Sequence, residues 1–277
     1  DHAVTMPLCL ARASASAFTA PNRSLKARIT FRGVSPSTVR PIRPSRSPAL
    51  NKSVTCAAVT EAKLDGGAVA TYLGATALET GLLVASLVPA QYALERAAAS
   101  FGPDAASALV FIYFAGLAVR SRVFSPLDAA RPTQANNREG LEDRLRPKWT
   151  PPGPVFAIVW STIALLRGAS SMLVYSTTGT LLTPALCALL AHLAIGDTWN
   201  FISNVEKRMG TAVIGVGCVW ASVVTAVALY WQTNPTAGMV LAPSAVWISI
   251  ASVLVTSIWD LNGREPLLPL LDADSDA

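Results

Sequence analysis

A short run of aromatic residues and prolines at 149–160 carries the residues best suited to hold a ligand. Trp149 and Trp160 lie at its two ends, with the adjacent prolines Pro151 and Pro152 between them. Two prolines fix φ and lack backbone donors, which suits the first turn of a helix, where those donors have no intrahelical partner. Tryptophan is enriched where a helix passes from water into lipid. The run therefore predicts a membrane helix that begins near Pro152 beside an aromatic-lined cavity.

Four ionisable residues, Glu79, Arg167, His192 and Asp197, lie within apolar stretches of the chain. Such residues are costly in lipid and are usually paired or functional. At 1.5 Å per residue, Glu79 and Arg167 reach similar depths, roughly 18 and 22 Å from one membrane face. We therefore predict a structural ion pair between them, with snorkelling of each side chain to an interface as the alternative.

His192 is the one residue considered as a metal ligand. His192 is the only histidine after residue 56, and imidazole is a common axial ligand of haem. A hydrogen-bonded packing role is the alternative, and no other metal ligand set is predicted.

A polar stripe follows close to His192 along the chain. Asp197, Asn200 and Asn204 are spaced by three and four residues, so they share one face of a helix. This stripe is predicted to contact the polar edge of a ligand or the preceding long loop. A polar seam between helices that satisfies its own hydrogen bonds is the alternative.

The composition is that of a membrane protein. Of 277 residues, 52 % are hydrophobic and 14 % are charged, whereas soluble domains have nearer a quarter charged residues. The net charge of +5 comes from residues 1–56, which hold nine Lys and Arg and a single acid, Asp1. Because the remainder is acidic on balance, a nucleic-acid partner is not expected.

Residues 1–56 are rich in Ser, Arg, Pro and Ala and poor in acids. This composition is typical of an organelle transit peptide that is disordered and cleaved near Cys56. It predicts a chloroplast membrane protein, with a mitochondrial membrane as the second choice. A permanently disordered basic tail is the alternative.

Six apolar segments are long enough to cross a bilayer, which requires about 20 residues. They run over 67–94, 105–124, 152–175, 182–203, 211–231 and 238–261. The sequence therefore predicts an all-α polytopic bundle, although the first segment could instead be an interfacial helix.

Three regions follow the predicted transit peptide. Residues 57–104 are predicted to form an extra N-terminal membrane helix and a linker, and residues 105–262 a five-helix domain. Residues 263–277 are predicted to be a disordered acidic tail.

Three stretches carry a family resemblance. The run 149–160, continuing through Gly168, resembles the start of the second helix of the TspO/MBR family of translocator and tryptophan-rich sensory proteins. Residues 192–200 are similar to the third helix of that family, and residues 243–262 to its fifth helix.

The resemblance implies a five-helix bundle whose internal pocket binds porphyrins, haem-like tetrapyrroles or sterols. Trp160 and Trp247 would line this pocket, Trp149 and the proline pair would lie at its mouth, and Trp199 would lie nearby. The predicted ligand-binding set is Trp149, Pro151, Pro152, Phe156, Trp160, Asp197, Trp199, Asn200 and Trp247. The chain departs from the family at positions 154, 164, 196, 244 and 255, so its ligand need not be the ligand of the family.

These features predict an integral membrane protein that binds tetrapyrroles or related lipophilic ligands as a carrier, scavenger or sensor. A structural or assembly protein with a vestigial pocket and a light-dependent porphyrin-degrading activity are the alternatives. The sequence lacks a nucleophile with an adjacent base, a metal cluster and a dinucleotide-binding loop, so an enzyme is not predicted. We expect no obligatory cofactor, because porphyrin or haem would be a ligand. The expected partners are membrane lipid, a tetrapyrrole or sterol-like molecule, and a second copy of the chain in a homodimer.

Overall fold

The computed structural model describes residues 63–127 and 144–271, which form a bundle of six long helices. Each is long and apolar enough to cross a membrane, which confirms the six predicted spans and the all-α polytopic fold. The helices are α1 (Gly66–Phe101), α2 (Pro103–Arg120), α3 (Gly153–Thr178), α4 (Pro184–Asn204), α5 (Met209–Thr233) and α6 (Pro235–Leu261). The predicted transit peptide lies outside the described residues.

Prolines and capping side chains set the helix starts. Thr183 and Asn234 accept hydrogen bonds from the first turns of α4 and α6, and each is followed by a proline that needs no donor there. α1 extends seven residues beyond its predicted end and is about 54 Å long at 1.5 Å per residue. It ends at Gly102, whose φ of 88° lies in the left-handed region that glycine adopts without strain.

The six helices form a closed ring. Around it, α2 packs on α3, α3 on α6, α6 on α5 and α5 on α4. α1 packs against both α4 and α2 and so completes the circle. The extra N-terminal helix therefore packs as a member of the bundle.

The ring is filled mostly by leucine and other aliphatic side chains. Leu83 and Leu87 of α1 are fully buried against residues from α2 and α4. Other fully buried members of this core are Val110, Phe114, Val174, Leu181, Leu186, Leu189, Leu190, Tyr230 and Leu241.

A close backbone approach joins α2 to α3. A Cβ placed on Gly168 would lie 2.7 Å from the carbonyl oxygen of Phe111 and 3.0 Å from the Cβ of Ala115. Only a glycine lets the two helices pack at this distance. This contact fixes the position of α3, which carries two of the predicted ligand-binding residues, Phe156 and Trp160.

Residues 263–271 are ordered, which corrects the predicted extent of the disordered tail. Trp259 donates its indole N–H to the carbonyl of Glu265 at 2.8 Å. Leu270 then forms an isolated antiparallel bridge with Leu64, ahead of α1. Backbone hydrogen bonds therefore hold this segment against the start of α1; residues 272–277 lie outside the described range.

Candidate functional site

The inward face of α3 becomes more open towards its N-terminus. Ile163 and Arg167 are only 2 % and 4 % exposed, whereas Trp160, one turn nearer the N-terminus on the same face, is 38 % exposed. Phe156, a further turn along, is half-buried. The bundle is therefore tightly closed in its middle and looser around these two aromatic residues.

The aromatic contact at this end joins α3 to α6. The rings of Phe156 and Trp247 have centroids 5.7 Å apart and an interplanar angle of 72°, an edge-to-face arrangement. Trp247 also packs with Trp199 of α4 against a cluster formed by Val219, Val223 and Ile248. The structure thus brings Phe156 and Trp247, two of the predicted ligand-binding residues, into contact, and their role in holding a ligand stays a prediction.

Two polar atoms at this contact lack partners. The indole nitrogen of Trp247 and the hydroxyl of Ser244 are buried, and neither has a hydrogen-bond partner in the described ranges. The residues are three positions apart, so they share one face of α6. Buried polar groups are normally hydrogen-bonded. Among the residues that the structure describes, the indole N–H of Trp247 has no acceptor and the hydroxyl of Ser244 has no partner, so both groups depart from this rule.

The segment that leads into α3 is fastened to the end of α6. The amide N–H of Leu145 donates to the side-chain oxygen of Asn262 at 3.0 Å, and the Asn262 side-chain nitrogen donates back to the Leu145 carbonyl at 2.9 Å. Trp149 beyond it is half-exposed, Pro151 is partly buried and Pro152 is exposed. These residues lie at the open end of α3, where the mouth of a pocket was predicted.

Trp199 and Asn200 of α4 make contacts within the protein. The Trp199 indole N–H donates to the Ala212 carbonyl at 3.0 Å, and its ring packs where Gly215 has no side chain. Asn200 donates to the Gly196 carbonyl and accepts from Asn204. These contacts resemble the alternative of a self-satisfied polar seam, and a ligand-binding role for the two residues stays a prediction.

Arg167 contacts His192 in the middle of the bundle. Its guanidinium donates to Nε2 of His192 at 2.7 Å, and Nδ1–H of the imidazole donates to the Ser222 hydroxyl at 2.9 Å. These contacts assign the neutral tautomer, since arginine has no acceptor. Nδ1 carries the proton and the lone pair of Nε2 accepts from Arg167, so neither ring nitrogen is free for a haem iron.

The predicted ion pair between Glu79 and Arg167 does not form. Glu79 is fully buried and faces Asp197, with Ser125 and Arg122 the other polar groups directed at it. Asp197 accepts a hydrogen bond from the Ser121 hydroxyl at 2.5 Å. The two residues match in depth, but α1 packs beside α4, which directs Glu79 to that helix.

Sequence reasoning missed Ser244 and Ser121. Ser244 was noted only as a departure from the family pattern, although its spacing of three residues from Trp247 places both on one helix face. Ser121 lies at the end of α2 and gave no signal, because its contact with Asp197 depends on which helices are neighbours.

The chain is similar in sequence to known proteins over the region from α2 to α6. The family model described as TspO/MBR family matches residues 105–260, which comprise most of α2 and all of α3 to α5 together with nearly all of α6. Protein CrtK of Rhodobacter capsulatus is 26 % identical over 125 residues, covering 44 % of this chain and 78 % of that protein. The tryptophan-rich sensory protein of Cereibacter sphaeroides is 29 % identical over 128 residues, covering 46 % and 80 %. The human translocator protein is 27 % identical over 120 residues, covering 42 % and 71 %. α1 lies outside the matched residues.

Proposed function

We propose that this chain, which belongs to the TspO/MBR family, binds tetrapyrroles or related lipophilic ligands between α3 and α6, as a carrier, scavenger or sensor. The observation that carries the proposal is the buried, unpartnered indole N–H of Trp247 beside the ring of Phe156. Such an arrangement supplies an apolar surface and an unpaired hydrogen-bond donor, the combination that is usual in small-molecule sites.

A flat conjugated macrocycle matches this combination. Aromatic side chains of this kind bury about 150–250 Å² each against a partner surface. Phe156 and Trp160 lie one turn apart on α3, so they can present a continuous aromatic surface. The Trp247 N–H and the Ser244 hydroxyl would then bind a carboxylate or carbonyl oxygen on the ligand.

We favour a binding role over an enzymatic one, because the relatives carry the names translocator and sensory protein. Membrane lipid is the surrounding solvent, and a homodimer remains part of the proposal. The acid-poor, Ser- and Arg-rich segment 1–56 supports a chloroplast membrane, with a mitochondrial membrane as the second choice. Imaging the full chain with a C-terminal fluorescent tag distinguishes these two locations.

Quenching of tryptophan fluorescence by protoporphyrin IX tests the binding site in the purified full chain. We expect saturable quenching in the native protein. Trp247→Phe retains an aromatic ring but loses the N–H donor, so its affinity should fall about fivefold, equivalent to one hydrogen bond of about 1 kcal/mol. Trp231→Phe is the matched control, because Trp231 is half-exposed near the end of α5, where it contacts Gly238 in the first turn of α6.

The possible outcomes separate the functions. Saturable quenching that Trp247→Phe weakens and Trp231→Phe leaves unchanged supports the proposal. Equal affinities in all three proteins would place the ligand elsewhere. An absence of binding would favour a structural or assembly role, and porphyrin breakdown products that form only under illumination would favour the degrading activity.

A further inference from the structure

We propose that Glu79 of α1 and Asp197 of α4 form a proton-binding site inside the membrane, in which the two carboxyl groups share one proton. The pair lies between α1 and α4, whereas the aromatic contact joins α3 to α6. One of its two carboxyl groups comes from α1, which lies outside residues 105–260 matched by the family model.

Burial is the first observation behind this site. Among the described residues, Glu79 and Asp197 are the only acids that are buried, with exposed fractions of 0 % and 8 %. Both lie within helices that cross the membrane, where an ionised carboxylate has no water to solvate it. Each charge must therefore be neutralised or compensated by the protein.

The unpartnered carboxyl group of Glu79 is the second observation. Neither carboxyl oxygen of Glu79 has a hydrogen-bond partner within the described ranges. The group faces Asp197, which as a carboxylate can only accept hydrogen bonds. A proton placed on either carboxyl group supplies the missing donor, because it creates an O–H···O hydrogen bond between the two.

Repulsion between like charges also indicates that the two carboxyl groups bind one proton between them. Two carboxylates that share a buried site do not both ionise, since each negative charge disfavours the other. Asp197 already accepts a hydrogen bond from the Ser121 hydroxyl at 2.5 Å, which favours its charged form. Glu79 is therefore the group on which the proton mainly resides.

The polar and charged groups around the pair come from two parts of the chain. Arg122 and the Ser125 hydroxyl face Glu79 from the segment that follows α2. Arg122 also acts on Asp197, as does Arg167 of α3. With one proton bound, the pair carries a single negative charge, which these arginines can compensate. Without that proton, two like charges face each other across the contact between α1 and α4 and oppose their packing.

Infrared spectroscopy of the full chain in detergent micelles tests the site directly. Exposed carboxyl groups are ionised at pH 7, because their ordinary pKa values are near 4. A protonated-carboxyl C=O band at that pH therefore reports buried groups, and we expect one with the amplitude of a single carboxyl group. The band should disappear reversibly as the pH is raised.

Conservative variants assign the band. Glu79→Gln should abolish it, because the amide donates to Asp197 in place of the proton. Asp197→Asn should shift its frequency, because the acceptor changes. Glu95→Gln is the matched control, since Glu95 is an exposed acid on the same helix.

Folding is checked for each variant by circular dichroism and by elution as a monodisperse species. Absence of the band from the native protein at pH 7, or a band that neither Glu79→Gln nor Asp197→Asn changes, would overturn the proposal. Loss of the band in Glu95→Gln would overturn it as well.

Discussion

The helices of the matched region and the added helix α1 are held in the bundle by different means. Gly168 and Gly238 have no side chain at points where a Cβ would lie 2.7 Å from backbone atoms of the neighbouring helix. Gly74 and Gly81 of α1, in contrast, have no heavy atom within 4 Å of the same position. The matched region therefore depends on close backbone packing, and α1 does not.

Side-chain hydrogen bonds fasten α1 at successive levels. The contacts are Tyr72 to Glu206, Thr76 to Thr198 at 2.8 Å, Ser86 to Tyr113 at 2.5 Å, and the amide N–H of Leu181 to Gln91 at 2.9 Å. Within a membrane, such hydrogen bonds contribute where apolar burial does not distinguish a helix from lipid. α1 is therefore joined to its neighbours by side-chain hydrogen bonds as well as by its buried leucines.

The largest effect is expected where the matched helices approach most closely. Gly168→Leu forces the backbones of α2 and α3 apart, because the carbonyl of Phe111 cannot move away as a flexible side chain would. We expect a loss of about 2 kcal/mol or more in the free energy of unfolding. Thermal unfolding in detergent, followed by circular dichroism, measures the change.

Gly81→Leu on α1 is the matched control for that substitution. Gly81 is exposed and has open space around it, so the same side chain should leave the unfolding temperature nearly unchanged. Equal destabilisation by the two variants would contradict the distinction between the matched helices and α1.

A smaller effect is expected at the start of α1. Asp65 accepts a hydrogen bond from the Ala68 amide at 2.9 Å, and this bond is the main cause that lowers the pKa of Asp65; Arg208 lies 3.2 Å away and adds to it. Because the pKa in the folded protein is lowered, the stabilisation is complete above about pH 4 and is lost as the pH falls further. The unfolding temperature of the native protein should therefore fall in acid.

Asp65→Asn isolates that contribution. Asparagine also caps helices but does not titrate, so the variant should lose less stability than the native protein between pH 7 and pH 3. An identical acid dependence in both proteins would show that Asp65 does not stabilise α1 in this way.

Much of the fold could be predicted because its signals are local. Long apolar runs mark all six helices, and the proline pair at 151 and 152 marks the start of α3. Phe156 and Trp247 were both in the predicted ligand-binding set through the family resemblance, but the contact between their rings was not predicted. Spacing along one helix identifies a shared face but not the helix that the face meets.

The rest of the site depended on which helices are neighbours. The rise per residue along a helix predicted similar membrane depths for Glu79 and Arg167, but it did not show which neighbouring helix each side chain faces. Since α1 lies between α2 and α4, Glu79 meets Asp197, while Arg167 contacts His192. The order of residues 263–271 was missed for a related reason, because their partner at Leu64 is distant in sequence.

The central claim is that the α3–α6 end of the bundle holds a lipophilic ligand. A cryo-electron microscopy structure of the full chain in lipid nanodiscs with protoporphyrin IX tests it most directly. The account predicts density for the macrocycle in contact with Phe156 and Trp247, with a polar atom of the ligand within hydrogen-bond distance of the Trp247 indole nitrogen. Density at another place on the bundle, with that nitrogen still unpartnered, would contradict it.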